Sequence, residues 1–228
     1  MSPTALAQLQ RGAAELGVAL DEKALARLVA YVALLDKWNR VYNLTAIREE
    51  AKLVTHHLLD SLAVLPHLPA GGLLDVGSGG GLPGIPVAIV QPQRRVTLLD
   101  SNHKKGTFLR QAVMELDLVN AAVAVERMED HRPPLAYEGV ISRAFSDLAD
   151  FVNLAGQSAA PRGTLIAMKG VHPHEEIARL PAGWSVSRVV ELDVPQLEAT
   201  RHPAGRRAIS SCGCTPFMAM RVPRGAAL

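Results

Sequence analysis

Aromatic residues are scarce, making up 4% of 228 residues. Proteins that stack bases on a broad aromatic platform need more of them, so that mode of nucleic-acid binding is not indicated. Cysteine is scarcer still. Cys212 and Cys214 are the whole complement, too few for a disulfide framework or a four-ligand zinc site, and a usage that fits a reducing compartment. No apolar run approaches the roughly 20 residues of a membrane span; the longest, 28–35, has eight. The opening stretch MSPTALAQLQRGAAELG has no basic region followed by an apolar one, so no secretory leader is expected and the expected compartment is the cytoplasm. A basic excess is missing from most of the chain as well. The net charge is +2, but residues 201–228 hold five arginines and no acid, which leaves the first 200 residues at −3. That balance gives no electrostatic reason to expect a nucleic-acid partner.

What is present reads as an ordinary folded protein. Hydrophobic residues make up 48% and charged residues 20%, and a chain this long buries roughly 70–75% of its unfolded surface. Residues 1–66 read as a helical extension. Asp21 is a candidate N-cap with Glu22 in the first turn, and Leu25, Leu28, Val29, Val32 and Leu35 form an apolar stripe at helical spacing. Leu53, Val54, His57, Leu58, Leu62 and Leu65 form a second. Pro66 and Pro69 close it, and residues 69–72 read as a short linker. From Leu73 the rhythm changes. Strands are expected at 73–76, 95–100, 121–125, 139–142, 163–168 and 185–194, with helices at 86–90, 104–116 and 148–160. Strands alternating with helices over short connections predict an α/β fold, a doubly wound and mostly parallel sheet. The expected division is 1–66 helical extension, 67–202 core and 203–228 atypical tail.

The segment 73–84, LLDVGSGGGLPG, carries the chemistry: a strand, a run of glycines, then a helix start. Glycine lets a backbone turn sharply and approach a ligand without a Cβ clash. In open α/β sheets the ligand lies beyond the carboxyl ends of the strands. The spacing is Gly77-x-Gly79-x-Gly81. A dinucleotide GxGxxG fingerprint starting at Gly77 requires glycine at position 82, where Leu82 stands, and this counts against a nicotinamide enzyme. Asp100 ends the second strand, placed to bond a ribose diol. No triphosphate P-loop sequence is present.

The string 75–81 resembles motif I of class I S-adenosylmethionine-dependent methyltransferases. Taken with WNRVYNLT (38–45), HHLLDSL (56–62), LLDSNHKKGTFLRQ (98–111) and GVISRAF (139–145), it resembles the bacterial small-subunit rRNA guanine-N7 methyltransferase G family (RsmG, also called glucose-inhibited division protein B). The resemblance runs from about Leu28 to His202. It implies a Rossmann-like methyltransferase core, S-adenosylmethionine as cofactor, and methylation of N7 of one guanine (guanine 527 in family terms) in 16S rRNA of the small ribosomal subunit. Carried over position by position, it implies cofactor contacts at Gly77, Gly79, Leu82, Met128, Glu129 and Arg143, with Asp100 as the ribose acid. The residues alone support the loop and Asp100; they read Met128 as core and Glu129 as a solvated charge. A small-molecule methyltransferase and a catalytically silent nucleotide-binding module are the alternatives.

The target atom is consistent with residues that are missing. Amino-group methyltransferases commonly carry Asn/Asp-Pro-Pro-aromatic after the fourth strand; here that place holds Ser142-Arg143-Ala144-Phe145. Pyrimidine C5 methylation needs a nucleophilic cysteine, which the body of the chain lacks. Guanine N7 has a lone pair available at neutral pH, so alignment and exclusion of water suffice and no general base is expected. Arg143 is open to two roles, cofactor contact and hydrogen bond to guanine O6. Lys104, Lys169 and Arg201 are candidates for substrate phosphate, with a solvated surface role as the plainer reading of Lys104. His56 and His57, with Asp60 nearby, read as helix-to-core hydrogen bonds rather than metal ligands. Asn39 and Asn43 read as caps and turns. After His202 the chain departs from the family's pattern: Pro203, Gly205 and paired arginines do not make a central strand, although Thr215–Val222 retains strand character.

Overall fold

The structure, a computed structural model, describes residues 1–143, 145, 147–170, 174–197 and 215–221. Its centre is a seven-stranded sheet: β1 Leu73–Val76, β2 Val96–Leu99, β3 Ala121–Ala124, β4 Tyr137–Ser142, β5 Ala159–Met168, β6 Ser185–Leu192 and β7 Thr215–Arg221. The spatial order is β3-β2-β1-β4-β5-β7-β6. Strands β1 to β5 are parallel, and β7 runs antiparallel to both β5 and β6. The order reverses between β1 and β4, so the crevice at their carboxyl ends is the switch point where such sheets take ligands.

Alternation along β1 explains the two layers. Leu73 joins the cluster under helices α1 Pro3–Glu15, α2 Glu22–Tyr42, α5 Gly84–Val90 and α6 His103–Glu115; Leu74 and Val76 join the cluster under α7 Leu148–Ala155. The N-terminal helices thus cover one face of the sheet. Asp21 caps α2, its Oδ1 accepting from Ala24 N at 2.6 Å, and Asn43 ends it in the left-handed region at φ 50°. The next helical stretch, α3 Glu50–Leu53, runs through one π turn, Val54–Leu59, into α4 Asp60–Ala63. A short α8, His174–Ala178, lies beyond β5.

Two sequence expectations need correcting. The helix expected to reach residue 160 stops at Ala155, passes through a 3₁₀ turn at Gly156–Ser158, and gives way to β5 from Ala159. Pairing of Ala159 with Tyr137 takes those residues into the sheet, so tertiary pairing overrides local helical pattern. The strand expected over 163–168 accordingly begins four residues earlier. The stretch 215–221, within the segment read as a tail, forms β7 inside the sheet, with Phe217, Met218 and Met220 buried. Residues 198–214, and Arg201 with them, lie outside the described residues.

Candidate active site

The glycine loop leaves β1 through three glycines at positive φ, Gly77 at 69°, Gly79 at 58° and Gly81 at 86°, conformations that L side chains enter at a cost. Gly77 N and Ser78 N both donate to Leu99 O, at 2.8 and 3.0 Å, tying the loop to β2. Asp75 is wholly buried beneath the loop. Its Oδ2 accepts from Ser78 Oγ at 2.6 Å and from Gly84 N at 3.0 Å, so it spans the loop from strand to helix start. Burial pushes its pKa up to about 6, against the pull of the Ser78 and Gly84 hydrogen bonds.

Asp100 sits at the end of β2, facing the loop. Oδ2 accepts from Gly79 N at 2.9 Å and Oδ1 from Asn102 N at 2.8 Å. Both oxygens are thereby aimed, and each carboxylate oxygen retains a further lone pair for a ligand hydroxyl. Lys105 Nζ stands 4.0 Å away. Between these elements lies a cavity of about 210 Å³ whose walls include Val76, Gly77, Leu99, Asp100, Met128 and Glu129, with Phe145 and Leu154 also lining it. Phe145 and Phe151 pack with ring centroids 5.0 Å apart, so α7 supports that wall. Glu126 also borders the cavity, and its carboxylate is held by His131 Nδ1 at 2.6 Å.

The predicted residues divide accordingly. Gly77, Asp100, Met128 and Glu129 share the cavity wall. Met128 is both a core residue and a wall residue: it is buried in the cluster under α7 and borders the opening. Glu129 is exposed at the rim. Gly79 is not in the wall and acts on it through Asp100, while Leu82 packs against the N-terminal cluster. Arg143 follows β4 directly and pairs with Asp60, Nη1 to Oδ2 3.2 Å. Lys104 is exposed in the first turn of α6. Lys169 is engaged within the protein, its Nζ 2.7 Å from Glu176 Oε2 and 3.2 Å from Phe145 O. Phe145 and Leu154 were not named as site residues in the sequence; GVISRAF carried the first, and nothing local marked the second.

Away from the cavity, His57 is buried. Its Nδ1–H donates to His56 O at 3.0 Å, which leaves Nε2 to accept from Thr45 Oγ1 at 2.7 Å. Burial lowers its pKa to about 4. Asn39 Oδ1 accepts from Thr45 N at 2.9 Å, which makes it a turn-fixing residue. Among the described residues no three metal-ligating side chains converge.

An apolar slot beside a fixed acid, next to a loop with three glycines at positive φ, suits a nucleoside. Arg143 does not line the cavity, but its Nη1 is buried at the end of β4 and makes no hydrogen bond among the described residues, an unspent donor. These features fit S-adenosylmethionine, and fold and site together define a class I S-adenosylmethionine-dependent methyltransferase. A solved S-adenosylmethionine-dependent methyltransferase from Aquifex aeolicus shares the fold, with TM-score 0.52 at 19% identity over 82% of this chain and 98% of that one. TrmN from Thermus thermophilus does so with TM-score 0.53 at 14% identity, over 81% of this chain and 53% of that one.

Sequence relatives narrow the class. Residues 24–204 match the GidB family, rRNA small subunit methyltransferase G. The ribosomal RNA small subunit methyltransferase G of Chromobacterium violaceum is 53% identical over 86% of this chain and 94% of its own length. That of Laribacter hongkongensis is 55% identical over the same shares. The chain belongs to this family of small-subunit rRNA methyltransferases.

Proposed function

We propose that this protein, acting in the cytoplasm, methylates N7 of one guanine in 16S rRNA, guanine 527 in family terms. The observation that carries the reading is the switch-point cavity, which Asp100 and Met128 line together with Gly77, the first of three positive-φ glycines, in a chain of this family. Residues 1–66 cover the donor side, and 67–202, completed by β7, form the core. Among the described residues no helix is long and apolar enough to cross a membrane.

When bound, S-adenosylmethionine supplies a methyl group on a sulfonium, ready for transfer to a lone pair. The protein's share is placement. Asp100 offers acceptor oxygens to a ribose, Met128 and Leu99 offer an apolar slot to adenine, and Gly77 lets the backbone come close. Phe145 and Leu154 exclude water from that slot. Guanine N7 carries no proton, so no residue has to remove one. Arg143 holds a positive charge beside the site, where it serves the cofactor's carboxylate or guanine O6. Lys104 and Arg201 offer sequence-independent contacts to phosphate, and Lys169 steadies the Phe145 backbone.

The test is transfer of labelled methyl from S-adenosylmethionine to small subunits lacking the modification, followed by chain cleavage at N7-methylguanine. One labelled guanine in the decoding-region loop is expected. Label at another atom or another nucleotide refutes the assignment.

A further inference from the structure

The N-terminal helices touch the glycine loop at one point and Arg143, at the end of β4, at another. Tyr31, fully buried on α2, donates its hydroxyl to Gly80 O at 2.5 Å. Burial raises its pKa, so the hydroxyl remains a donor across the working pH range. Leu35, one turn on, packs against the same glycine: a Cβ on Gly80 lies 3.2 Å from Leu35 Cδ1. The middle of the glycine loop is therefore held from outside the sheet.

The second point is Asp60, the first residue of α4, directly after the π turn. It is 4% exposed, in a buried helical stretch where it is the one carboxylate between Val54 and Ala63. A buried carboxylate is costly without a partner, and Arg143 stands 3.2 Å away. The contact is an ion pair out of line for a hydrogen bond, so it fixes the guanidinium while leaving Nη1 unspent. Single π turns recur at functional sites because they reset which side chains a helix presents. Here the turn immediately precedes the acid that meets Arg143.

We propose that Asp60 and Tyr31 are positioning residues for methyl transfer: Asp60 sets the Arg143 guanidinium at the donor site, and Tyr31 sets the Gly80 carbonyl of the glycine loop. The helical extension is then a working wall of the site. This rests on the reading of the switch-point cavity as the S-adenosylmethionine site.

A double-mutant cycle on the full chain tests it, with S-adenosylmethionine affinity read by calorimetry and kcat and KM by methyl transfer. Asp60→Asn is expected to weaken S-adenosylmethionine about tenfold, the scale of a lost charge-assisted contact. In an Arg143→Gln background the same change is expected to cost little more, because both act through one group. Additive effects, or wild-type kcat and KM in Asp60→Asn, overturn the role of Asp60. Tyr31→Phe removes one buried oxygen and serves even where Asp60→Asn does not fold. It is expected to raise the S-adenosylmethionine KM about tenfold, and wild-type KM overturns its part. If the wild-type chain binds no S-adenosylmethionine, the reading of the cavity fails and the inference goes with it. If wild type binds and transfers and both variants match it, the inference alone fails.

Discussion

Two buried titratable residues pull the pH dependence of stability in opposite directions. His57 has its pKa lowered from 6.5 to about 4 by burial. Its contribution is complete above 6.5 and is lost as pH falls toward 4, because the unfolded chain takes up the proton first. Asp75 has its pKa raised from 3.8 to about 6 by burial. Its contribution is complete below 3.8 and is lost as pH rises through 6. Thermal midpoints of His57→Gln and wild type should therefore converge as pH falls from 6.5 to 4, while the deficit of Asp75→Asn should widen from 6 to 3.8. A gap independent of pH in either pair contradicts the shift assigned. Asp100 gives a prediction on binding. Asp100→Ala removes the acceptor for Gly79 N and Asn102 N and for the ribose, and should weaken S-adenosylmethionine about tenfold to a hundredfold. Calorimetry showing unchanged affinity removes the ribose role. Asp100 was legible from its spacing to the glycine loop. Tyr31 was not, because a tyrosine in an apolar helical stripe looks like any core residue until its hydroxyl is seen to end on Gly80 O.

Among the elements, the strand–loop–helix unit from β1 to α5 was legible because local chemistry dictates it: apolar strand, glycines where φ is positive, proline near the helix start. Its tightness was not. A Cβ on Gly84 lies 2.7 Å from Asp75 Oδ2 and also meets Leu98 Cδ2. Gly84→Ala should therefore cost about 1–3 kcal/mol by overpacking and weaken cofactor binding by shifting the loop; a denaturant titration reads the first effect. The end of α7 shows the opposite limit. Residues 156–160 carry a helical pattern but serve in a 3₁₀ turn and β5, since Ala159 finds a partner in Tyr137. Elements whose ends depend on pairing with a distant strand cannot be bounded from local sequence.

For the whole molecule, the carboxyl end completes the sheet. β7 lies between β5 and β6, and its Phe217 is 1% exposed. The ring packs at 5.3 Å from His67, which joins the end of the helical extension to the last strand of the sheet. Phe217→Ala should cost about 3–5 kcal/mol, measured by chemical unfolding. A loss under 1 kcal/mol would show that this strand is not part of the packed core. Arg201 and its neighbours follow an unusual sequence, yet strand character over Thr215–Val222 was readable; the place of that strand between β5 and β6 was not.

The sequence by itself determined the class of fold, the position of the glycine loop, the acid at the end of β2 and the family. These depend on periodicity, on backbone conformations open to glycine, and on strings of residues close in the chain. Only the tertiary structure decided that Phe145 and Leu154 line the cavity, that Lys169 pairs with Glu176, that Asp60 pairs with Arg143, and that Tyr31 bonds the Gly80 carbonyl. Tyr31 and Gly80 are 49 positions apart and Asp60 and Arg143 are 83 apart, and the chain brings such pairs together only when burial of both sheet faces sets which helix lies over which strand.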